Sequence, residues 1–508
     1  MKIFRNKHGI AMLAFLALAG CDKDDALVAV SDVTLNRTAL EMSVGDTEKL
    51  IATVLPENAE YDGIVWNSDN TSVATVGADG LVTAVTAGNA TITATAGGKS
   101  GTCSVIVTGG DTSPGNINMN SMTVDEVKTA IKAALDAGIT EFTLTGPIAN
   151  LGLSGENLSV NPFYNTAVTK LDLSGVTGWE PVNIDGSTNP SKTVVGVPET
   201  AFLSCSDLQT VVLPEQVKAI GHNAFNYCLS LSKINLENVT HIGYCAFTDC
   251  SALKEVDMSE VTTIYKGAFW RAGLIALSLP KATSISEGIA GGNSGDAGSF
   301  SSCQSLASVE APLLTNTGYF SFAGCTALKI VKMPELTEIN ERAFFNTGLE
   351  SINLGSVTTV GKQAFRKCGR LTEVELPALA TVGDYAFQDC IGLEEIELTA
   401  TTIGDYLFPG CTELTTLSLP NATTFGYNIV ADCSALTNLK LTAAGALVNV
   451  DGEVIWESTF GSVSFSDFRY GNCALVLNAD KKQTGAGSPT VTDATTWLDQ
   501  TWKSITFE

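Results

Sequence analysis

Apolar residues recur along residues 201–442 with a period close to 22 residues. Each repeat holds an aromatic residue, here called the anchor, with Cys three positions later and Leu six positions later in most copies. The anchors are Phe202, Phe225, Phe247, Phe269, Phe300, Phe322, Phe344, Phe365, Phe387 and Phe408, with Val430 as a last variant. A fixed period of this length predicts a solenoid of about eleven coils, in which each coil buries its apolar face against its neighbours.

Each anchor leads into the string L-x-x-Φ-x-Φ, where Φ is apolar, as in residues 371–376. The period of two predicts one short strand per coil, with the Φ side chains buried and the intervening side chains facing outward. Pro often follows, as at Pro214 and Pro420, and is expected to end the strand. Gly commonly precedes the anchor, where we expect it to allow a tight turn. The fold class is therefore mainly β, with a parallel solenoid sheet.

Residues 31–108 show a different pattern, with short alternating segments broken by turns such as Asp79-Gly80. This predicts half-buried antiparallel strands of a β-sandwich. Trp66 is expected in its core. Cys103 has no second Cys in the segment, which predicts a buried thiol. The string Gly98-Lys99-Ser100 lacks the rest of a phosphate-binding loop and is interpreted as a hairpin tip.

Residues 109–120 are rich in Gly, Ser, Pro and Asn and are predicted to be a linker. Residues 121–200 are predicted to cap the N-terminal end of the solenoid, since the open apolar end of a repeat array needs a cover. This cap begins with a capping box formed by Thr123 and Glu126, which predicts a helix. Residues 443–508 are predicted to close the other end.

The N-terminus has the pattern of a signal peptide over residues 1–20, with Lys2 and Arg5 ahead of a short apolar run. The string Leu18-Ala19-Gly20-Cys21 resembles the lipobox of bacterial lipoproteins, which implies acylation of Cys21; the alternative is an ordinary signal peptide. Residues 21–30 form an acidic tether. It resembles the tag that directs lipoproteins of Bacteroidota-type bacteria to the outer face of the outer membrane. The alternatives are retention at the inner membrane and a plain linker.

The formal charge of −25 argues against binding to nucleic acid, because phosphate is repelled. Nine of the thirteen Cys share one repeat position, and this regular ladder is not a zinc pattern. Buried thiols are favoured over disulfides there, since parallel side-chain vectors hinder a full set of bridges. No cofactor motif occurs. His222 and His241 lie at non-equivalent positions of successive coils, so solvated loop histidines are favoured over a catalytic site.

Outward positions of two adjacent predicted strands carry Glu373, Glu375, Glu395 and Glu397. Such carboxylates repel each other across neighbouring strands, and either Ca²⁺ or a basic partner would relieve the repulsion. We identify the four as a possible binding site, with Ca²⁺ between Glu375 and Glu395 as one possibility. The alternative is four hydrated side chains. A Gly-rich insertion within residues 287–299 is predicted to form a loop, which either carries recognition or is neutral.

The repeat strings resemble BspA-type leucine-rich repeat proteins of bacterial surfaces, and residues 31–108 resemble group 2 bacterial Ig-like domains. The first resemblance implies a lipid-anchored surface protein whose repeats bind a protein or glycan and have no catalytic site; the second implies a spacer. Adhesion is therefore the favoured function. A glycan-binding accessory of a polysaccharide-uptake system is the alternative, although the predicted outward columns contain no aromatic residue. An enzyme that uses His222 or His241 is the least favoured hypothesis.

Overall fold

The structure is a computed structural model that describes residues 28–108, 115–153, 161–164, 166–187, 193–287 and 298–443. Beyond residue 443 it describes five strands: Val448–Asn449, Ala474–Leu477, Thr496–Trp497, Gln500–Thr501 and Ser504–Phe507. The chain divides into two compact units, Met1–Thr112 and Ser113–Glu508. The predicted signal peptide, Cys21 and most of the Gly-rich insertion lie outside the described residues.

The first unit is the predicted β-sandwich. One sheet contains Ala39–Ser43, Lys99–Thr108, Gly88–Ala96 and Val65–Ser68 in that order. The other strands are Asp32–Leu35 with Ala52–Leu55, and Thr47–Lys49 with Leu81–Ala84 and Ala74–Val76.

The predictions for Cys103 and for the hairpin tip are confirmed, whereas Trp66 is less buried than predicted. Cys103 is fully buried and carries a free thiol. Trp66 is half-buried and packs against two apolar clusters, so it lies at the core without being enclosed by it. Gly97 and Gly98 form the two-residue loop between the paired strands that end at Ala96 and begin at Lys99, which places Lys99 and Ser100 at a hairpin tip.

The second unit begins inside the predicted linker, because Asn116–Asn118 already forms a strand of its sheet and Met119 is buried, and the segment predicted as a cap follows. Its α-helix, Val124–Asp136, begins at Thr123, whose hydroxyl accepts from the Glu126 N–H while the Glu126 carboxylate accepts from the Thr123 N–H. Strands Asn116–Asn118, Glu141–Pro147 and Lys170–Thr177 pair in parallel and lead into the solenoid; a short 3₁₀ helix, Ile148–Leu151, follows the second of them.

All the solenoid coils except that of Phe247 contribute a strand from the L-x-x-Φ-x-Φ string, and we call these strands the face sheet. They are Thr210–Val212, Lys233–Ile234, Ala276–Ser278, Ser308–Glu310, Ile330–Lys332, Ser351–Asn353, Glu373–Glu375, Glu395–Glu397, Thr416–Ser418 and Asn438–Leu441. Ala474–Leu477 and Ser504–Phe507 continue the sheet in parallel, so two predicted segments of the C-terminal closure are face strands.

A second set of short strands precedes the anchors, and we call it the flank sheet. Its members are Gly196–Val197, Ala219–Ile220, His241–Ile242, Thr263–Tyr265, Ser284–Glu287, Glu338–Ile339, Thr359–Val360, Thr381–Val382, Thr402–Ile403, Thr424–Phe425 and Val448–Asn449. Pairing between the described face strands is parallel but interrupted. One interruption lies between Ile330–Lys332 and Ser351–Asn353, and another lies between Glu373–Glu375 and Glu395–Glu397.

The anchors form a continuous stack of rings inside the solenoid. From Phe202 to Phe408, successive ring centroids lie 5.1–5.6 Å apart with interplanar angles of 2–17°. Phe163 adds a further ring at 5.8 Å, tilted by 43°, which the sequence pattern does not reveal because Thr166 and Thr169 occupy the Cys and Leu positions. Each ring is buried against its neighbours, where aromatic pairs gain stability beyond that of burial alone.

The nine ladder cysteines are buried free thiols, as predicted. Each Sγ donates to the backbone carbonyl of the anchor in the preceding coil, as Cys390 does to Phe365 at 3.1 Å. The donors are Cys205, Cys228, Cys250, Cys303, Cys325, Cys368, Cys390, Cys411 and Cys433. The thiol is a weak donor that satisfies a buried carbonyl with little polar bulk, which explains why one residue type recurs there.

The turns around each anchor depend on left-handed backbone, mostly without glycine. Within the described residues, all eighteen non-glycine residues with positive φ lie two positions before or two positions after an anchor, with φ between 51° and 64°. Asn223 and Tyr227, for example, flank Phe225. Such residues are uncommon singly, so their recurrence shows that the turn shape is imposed by stacking rather than by local preference.

Glycine four positions before the anchor serves a different purpose from the tight turn we expected. Gly361, Gly383, Gly404 and Gly426 do not have positive φ. A Cβ at Gly404 would lie 2.6 Å from the backbone N of Asp384 in the preceding coil. The glycine is therefore needed because adjacent coils approach too closely for any side chain.

Gly404→Ala should destabilise the solenoid by about 2 kcal/mol or more, because its Cβ meets backbone that has no room to move. Gly355→Ala is the matched control, since nothing lies within 4 Å of a Cβ there. Urea unfolding followed by circular dichroism measures both. Equal stability of the two variants would contradict the close-approach explanation.

The thiol ladder predicts a loss of stability at high pH. Burial raises the pKa of Cys411 to about 12, whereas an unfolded cysteine ionises near pH 9. The unfolded chain therefore binds fewer protons above that pH, so the free energy of unfolding falls by about 1.4 kcal/mol per pH unit for this thiol until the folded pKa is reached. Cys411→Ser removes the ionisation.

Urea titrations in reductant at about pH 8 and about pH 10.5 test this. We expect the parent chain to lose about 2 kcal/mol more than Cys411→Ser over that interval. The same alkaline loss in both chains would show that this thiol does not titrate on unfolding. Cys245→Ser, outside the ladder, gives a comparison thiol that is also buried.

Candidate functional site

The outward side chains of the face sheet form two columns, at the first and third positions of each strand. The glutamates follow this pattern, since the structure exposes Glu373, Glu375, Glu395 and Glu397 and turns Ile396 into the core. Counted from their anchors, Glu373 and Glu395 share one column, and Glu375 and Glu397 share the other. The structure therefore brings the four predicted residues onto one surface of two successive coils.

Two of the four carboxylates have a neutral partner on an adjacent strand. The Asn353 side-chain amide donates to Glu375 across the Asn353–Glu375 register pair. The Ser418 hydroxyl donates to Glu397 at 2.9 Å across the Glu397–Ser418 pair. These bonds hold the side chains along the sheet, but they bring no positive charge to them.

Ion pairs neutralise two acidic side chains of nearby coils. Lys332 lies 3.6 Å from Glu310 on the paired face strand, and Lys329 lies 2.6 Å from Glu350. By contrast, none of the four clustered glutamates has a lysine or arginine partner within the part of the chain that the structure describes. The interruption of strand pairing falls between the two strands that carry them, where like charges face each other. We call these four residues the acidic face.

The acidic face contains no ready-made metal site. Across the described ranges, no group of three or more His, Cys, Asp or Glu side chains is placed to hold a metal ion. Glu375 and Glu395 also lie in different columns, so a shared ion would have to bridge them diagonally. The Ca²⁺ site at these two residues stays a prediction.

The two solenoid histidines have structural environments. His222 is half-buried, its Nε2 lies 2.7 Å from the Asn223 amide nitrogen, and its ring meets that of Tyr244 at 5.3 Å. Burial lowers the pKa of His222. His241 lies in a flank strand rather than a loop, with the Thr240 hydroxyl 2.9 Å from its Nδ1. The expectation of a loop histidine was therefore wrong for His241, whereas His222 does lie in a turn but is half-buried rather than fully solvated.

Sequence reasoning missed the aromatic groups at the turn that precedes the anchors. Tyr385 and Tyr406, both in left-handed backbone, stack with centroids 4.9 Å apart. Their positions two residues before the anchor carry no fixed residue type, so only the repeat register, read as a column, could have found them. Because the rings face each other, they present their edges rather than their faces to a ligand.

Comparisons with known proteins agree with this architecture. The model of the BspA type leucine rich repeat region matches in six copies over residues 183–290, 293–401 and 380–451. That of the bacterial Ig-like domain (group 2) matches residues 29–107. Within the described residues, no helix combines the length and apolarity that crossing a membrane requires.

Curated relatives match only parts of this chain. An uncharacterised protein of Clostridium acetobutylicum is 31% identical over 166 residues, which are 31% of this chain and 16% of that protein. An alpha-L-arabinofuranosidase of Bifidobacterium longum is 47% identical over 68 residues, which are 13% of this chain and 6% of the enzyme. The chain thus spans less than a fifth of the length of these two relatives.

Solved structures similar to this chain are bacterial leucine-rich repeat proteins. One from Bacteroides ovatus is 23% identical, with a TM-score of 0.29, and the match covers 52% of this chain and 87% of that one. A leucine rich cell surface protein from Faecalibacterium prausnitzii is 20% identical, with a TM-score of 0.29 and coverages of 52% and 83%. These scores are low, so the assignment rests on the repeat family, whose matches extend over more than half of the sequence. The chain belongs to the BspA-type leucine-rich repeat proteins, a family of bacterial surface proteins, and carries a group 2 bacterial Ig-like domain before its repeats.

Proposed function

We propose that this protein is a non-enzymatic surface lipoprotein that binds a protein partner through its face sheet, with the Ig-like unit as a spacer. The acidic face carries the proposal. Four exposed carboxylates lie on two successive coils without a cationic partner, whereas Glu310 and Glu350 of nearby coils are paired with lysines. A partner that presents lysine or arginine would supply the missing charge and speed association.

The composition of the face favours a protein over a glycan. Sugars commonly bind by stacking on exposed aromatic rings, and the described face strands carry none at their outward positions. Their outward side chains are polar or charged in most coils, with Ile330 as an exposed apolar contact beside the Glu310–Lys332 ion pair. Large repetitive surfaces of this kind suit extended protein partners.

The N-terminal sequence supports display outside the cell. Cys21 follows a lipobox-like string, and acyl chains on the mature N-terminus would anchor the protein to a membrane. The acidic residues that follow Cys21 support transfer to the outer face of the outer membrane. The Ig-like unit would then hold the repeats away from the membrane.

Neutralising the acidic face should weaken binding to a basic partner. We expect the quadruple variant Glu373→Gln, Glu375→Gln, Glu395→Gln and Glu397→Gln to weaken binding to proteins captured on an extracellular protein array by about tenfold or more. Interferometry near physiological salt measures the affinity, and a glycan array is probed in parallel with the same chain.

The matched control removes the same charge from four exposed glutamates that lie off the face strands: Glu215, Glu237, Glu335 and Glu413. This variant should bind within about twofold of the parent, since long-range attraction is screened at physiological salt. Equal weakening by both variants would show that net charge, not the acidic face, determines binding. Binding to the glycan array but to no protein would show that the partner is a glycan and not a protein.

Cys21→Ser should prevent acylation and release the protein from the membrane fraction, because the thiol that receives the lipid is absent. Metabolic labelling with a clickable fatty acid and fractionation of expressing cells measure both effects. Cys103→Ser, a change at a buried thiol of the Ig-like unit, should leave labelling intact. Protease treatment of intact cells should cleave the parent protein, and complete protection would contradict surface display.

A further inference from the structure

One backbone N–H in each coil points away from the hydrogen-bond ladder between coils. It belongs to the residue three positions before the anchor. The carbonyl of that residue is used, since Lys362 O accepts from Arg342 N at 2.9 Å and Asp384 O accepts from Gln363 N at 2.8 Å. From His222 onwards, its N–H has no main-chain acceptor in the adjacent coils among the residues that the structure describes. An acceptor has to come from outside the ladder, because unpaired amide groups in proteins are satisfied by side chains, water or ligands.

In the first coils, the chain supplies this acceptor from a second segment. Residues 181–187, here called the strap, run across the ends of two coils. The carbonyl of Asn183 accepts from His222 N at 2.8 Å, and the carbonyl of Ile184 accepts from Tyr244 N at 2.7 Å. Consecutive strap residues thus serve consecutive coils. The strap is also held by apolar packing, since Val182 and Ile184 are buried with Ala219 of the flank sheet.

In the last coils, aspartate side chains supply the acceptor. Asp384 Oδ1 accepts from Asp405 N at 3.0 Å, and Asp405 Oδ1 accepts from Tyr427 N at 2.8 Å. Here the residue three positions before one anchor caps the equivalent N–H of the next coil. The same backbone donor is therefore satisfied by a main-chain carbonyl at one end of the solenoid and by a carboxylate at the other.

Between these ends lies a row of donors that nothing covers. The N–H groups of Tyr319, Glu341, Lys362 and Asp384 have no acceptor among the residues that the structure describes. We call these four groups the open amide row. All four residues are exposed or half-buried. The row spans four successive coils in the same place that the strap occupies over His222 and Tyr244.

The glycines of the following coils pack closely against the row. Gly361 and Gly383 lie directly against it, and a Cβ on either would come within 2.8 Å of the amide N of Glu341 or Lys362. The nearby flank strands present Thr359 and Thr381, which are small. The same close approach does not prevent binding in the first coils, since a Cβ at Gly243 would lie 3.0 Å from His222 N, and the strap carbonyl of Asn183 still accepts from that N–H.

We propose that the open amide row docks an extended polypeptide segment of a partner, whose successive main-chain carbonyls accept from Glu341, Lys362 and Asp384 as the strap carbonyls do from His222 and Tyr244. Main-chain recognition of this kind gives an affinity that depends little on the sequence of the partner. The side chains beside the row then favour some partner sequences over others. The docking surface lies beside the flank sheet, and its argument is independent of the acidic face.

The aspartate caps provide a way to close the row without disturbing the fold. Glu341→Asn combined with Lys362→Asn places an Asx oxygen where Asp384 and Asp405 hold theirs, which should cap the N–H groups at positions 362 and 384. Glu341→Ala combined with Lys362→Ala is the matched control. It has the same charge and leaves both N–H groups open.

The probe is a phage-displayed library of random seven-residue peptides, selected on the full-length chain and followed by synthesis of the enriched peptide with blocked termini. We expect this peptide to bind the Ala pair within about twofold of the parent and the Asn pair at least about tenfold more weakly. In the parent chain, bound peptide should slow hydrogen exchange of the amides at 341, 362 and 384. Circular dichroism should show both variants folded.

Three results would overturn the proposal. One is the absence of any enriched peptide. A second is equal affinity of the Asn and Ala pairs, which would place the peptide elsewhere, for example on the acidic face. The third is binding that requires a free carboxylate on the peptide and is displaced by acetate, which would make the row an anion site instead of a main-chain site.

Discussion

The structure depends on the requirement that every coil fit the one before it. A single coil has no enclosed core, so its anchor ring, its ladder thiol and its close-packed glycine all find their partners in the neighbouring coil. Phe365, for example, stacks on Phe387 and accepts from Cys390 through its carbonyl. Stability is thus a sum of similar contacts between neighbouring coils. A destabilising substitution at one interior position weakens the packing of two coils.

This constraint separates the residues that build the scaffold from those free to recognise a partner. Interior positions repeat because their neighbours repeat, whereas outward positions change from one coil to the next. Glu310 and Lys332 neutralise each other, but the four glutamates two and three coils beyond Lys332 do not meet a cation. The variable sites fall on two surfaces, the face sheet and the turn before the anchors. The fold therefore offers one surface of side-chain charge and another of backbone donors.

Much of the architecture was predictable from the sequence, because the period aligns residues by their role. The anchor, Cys and Leu positions identified the core correctly, and the outward glutamates were placed together by counting from Phe365 and Phe387. The features that the sequence did not reveal depend on contacts with the neighbouring coil. Gly404 does not relieve strain of its own but makes room for Asp384, and Phe163 joins the ring stack without the Cys and Leu that mark other anchors. The left-handed residues escaped because Tyr227 or Asn223 carries no local sign of such backbone. The unpaired amides could not be seen before the hydrogen bonds were known.

The ladder of thiols affects how the chain can refold once it has unfolded. In the native solenoid each sulfur is enclosed and donates to a carbonyl, so oxidants cannot reach it. Once the chain unfolds in an oxidising medium, the same sulfurs become a set of similar, evenly spaced thiols with many possible wrong pairings. Correct refolding then competes with the formation of mismatched disulfides. Burial in the folded state is what protects the thiols from this reaction. Fast folding without later unfolding therefore favours this chain, because each unfolding event allows mismatched disulfides to form.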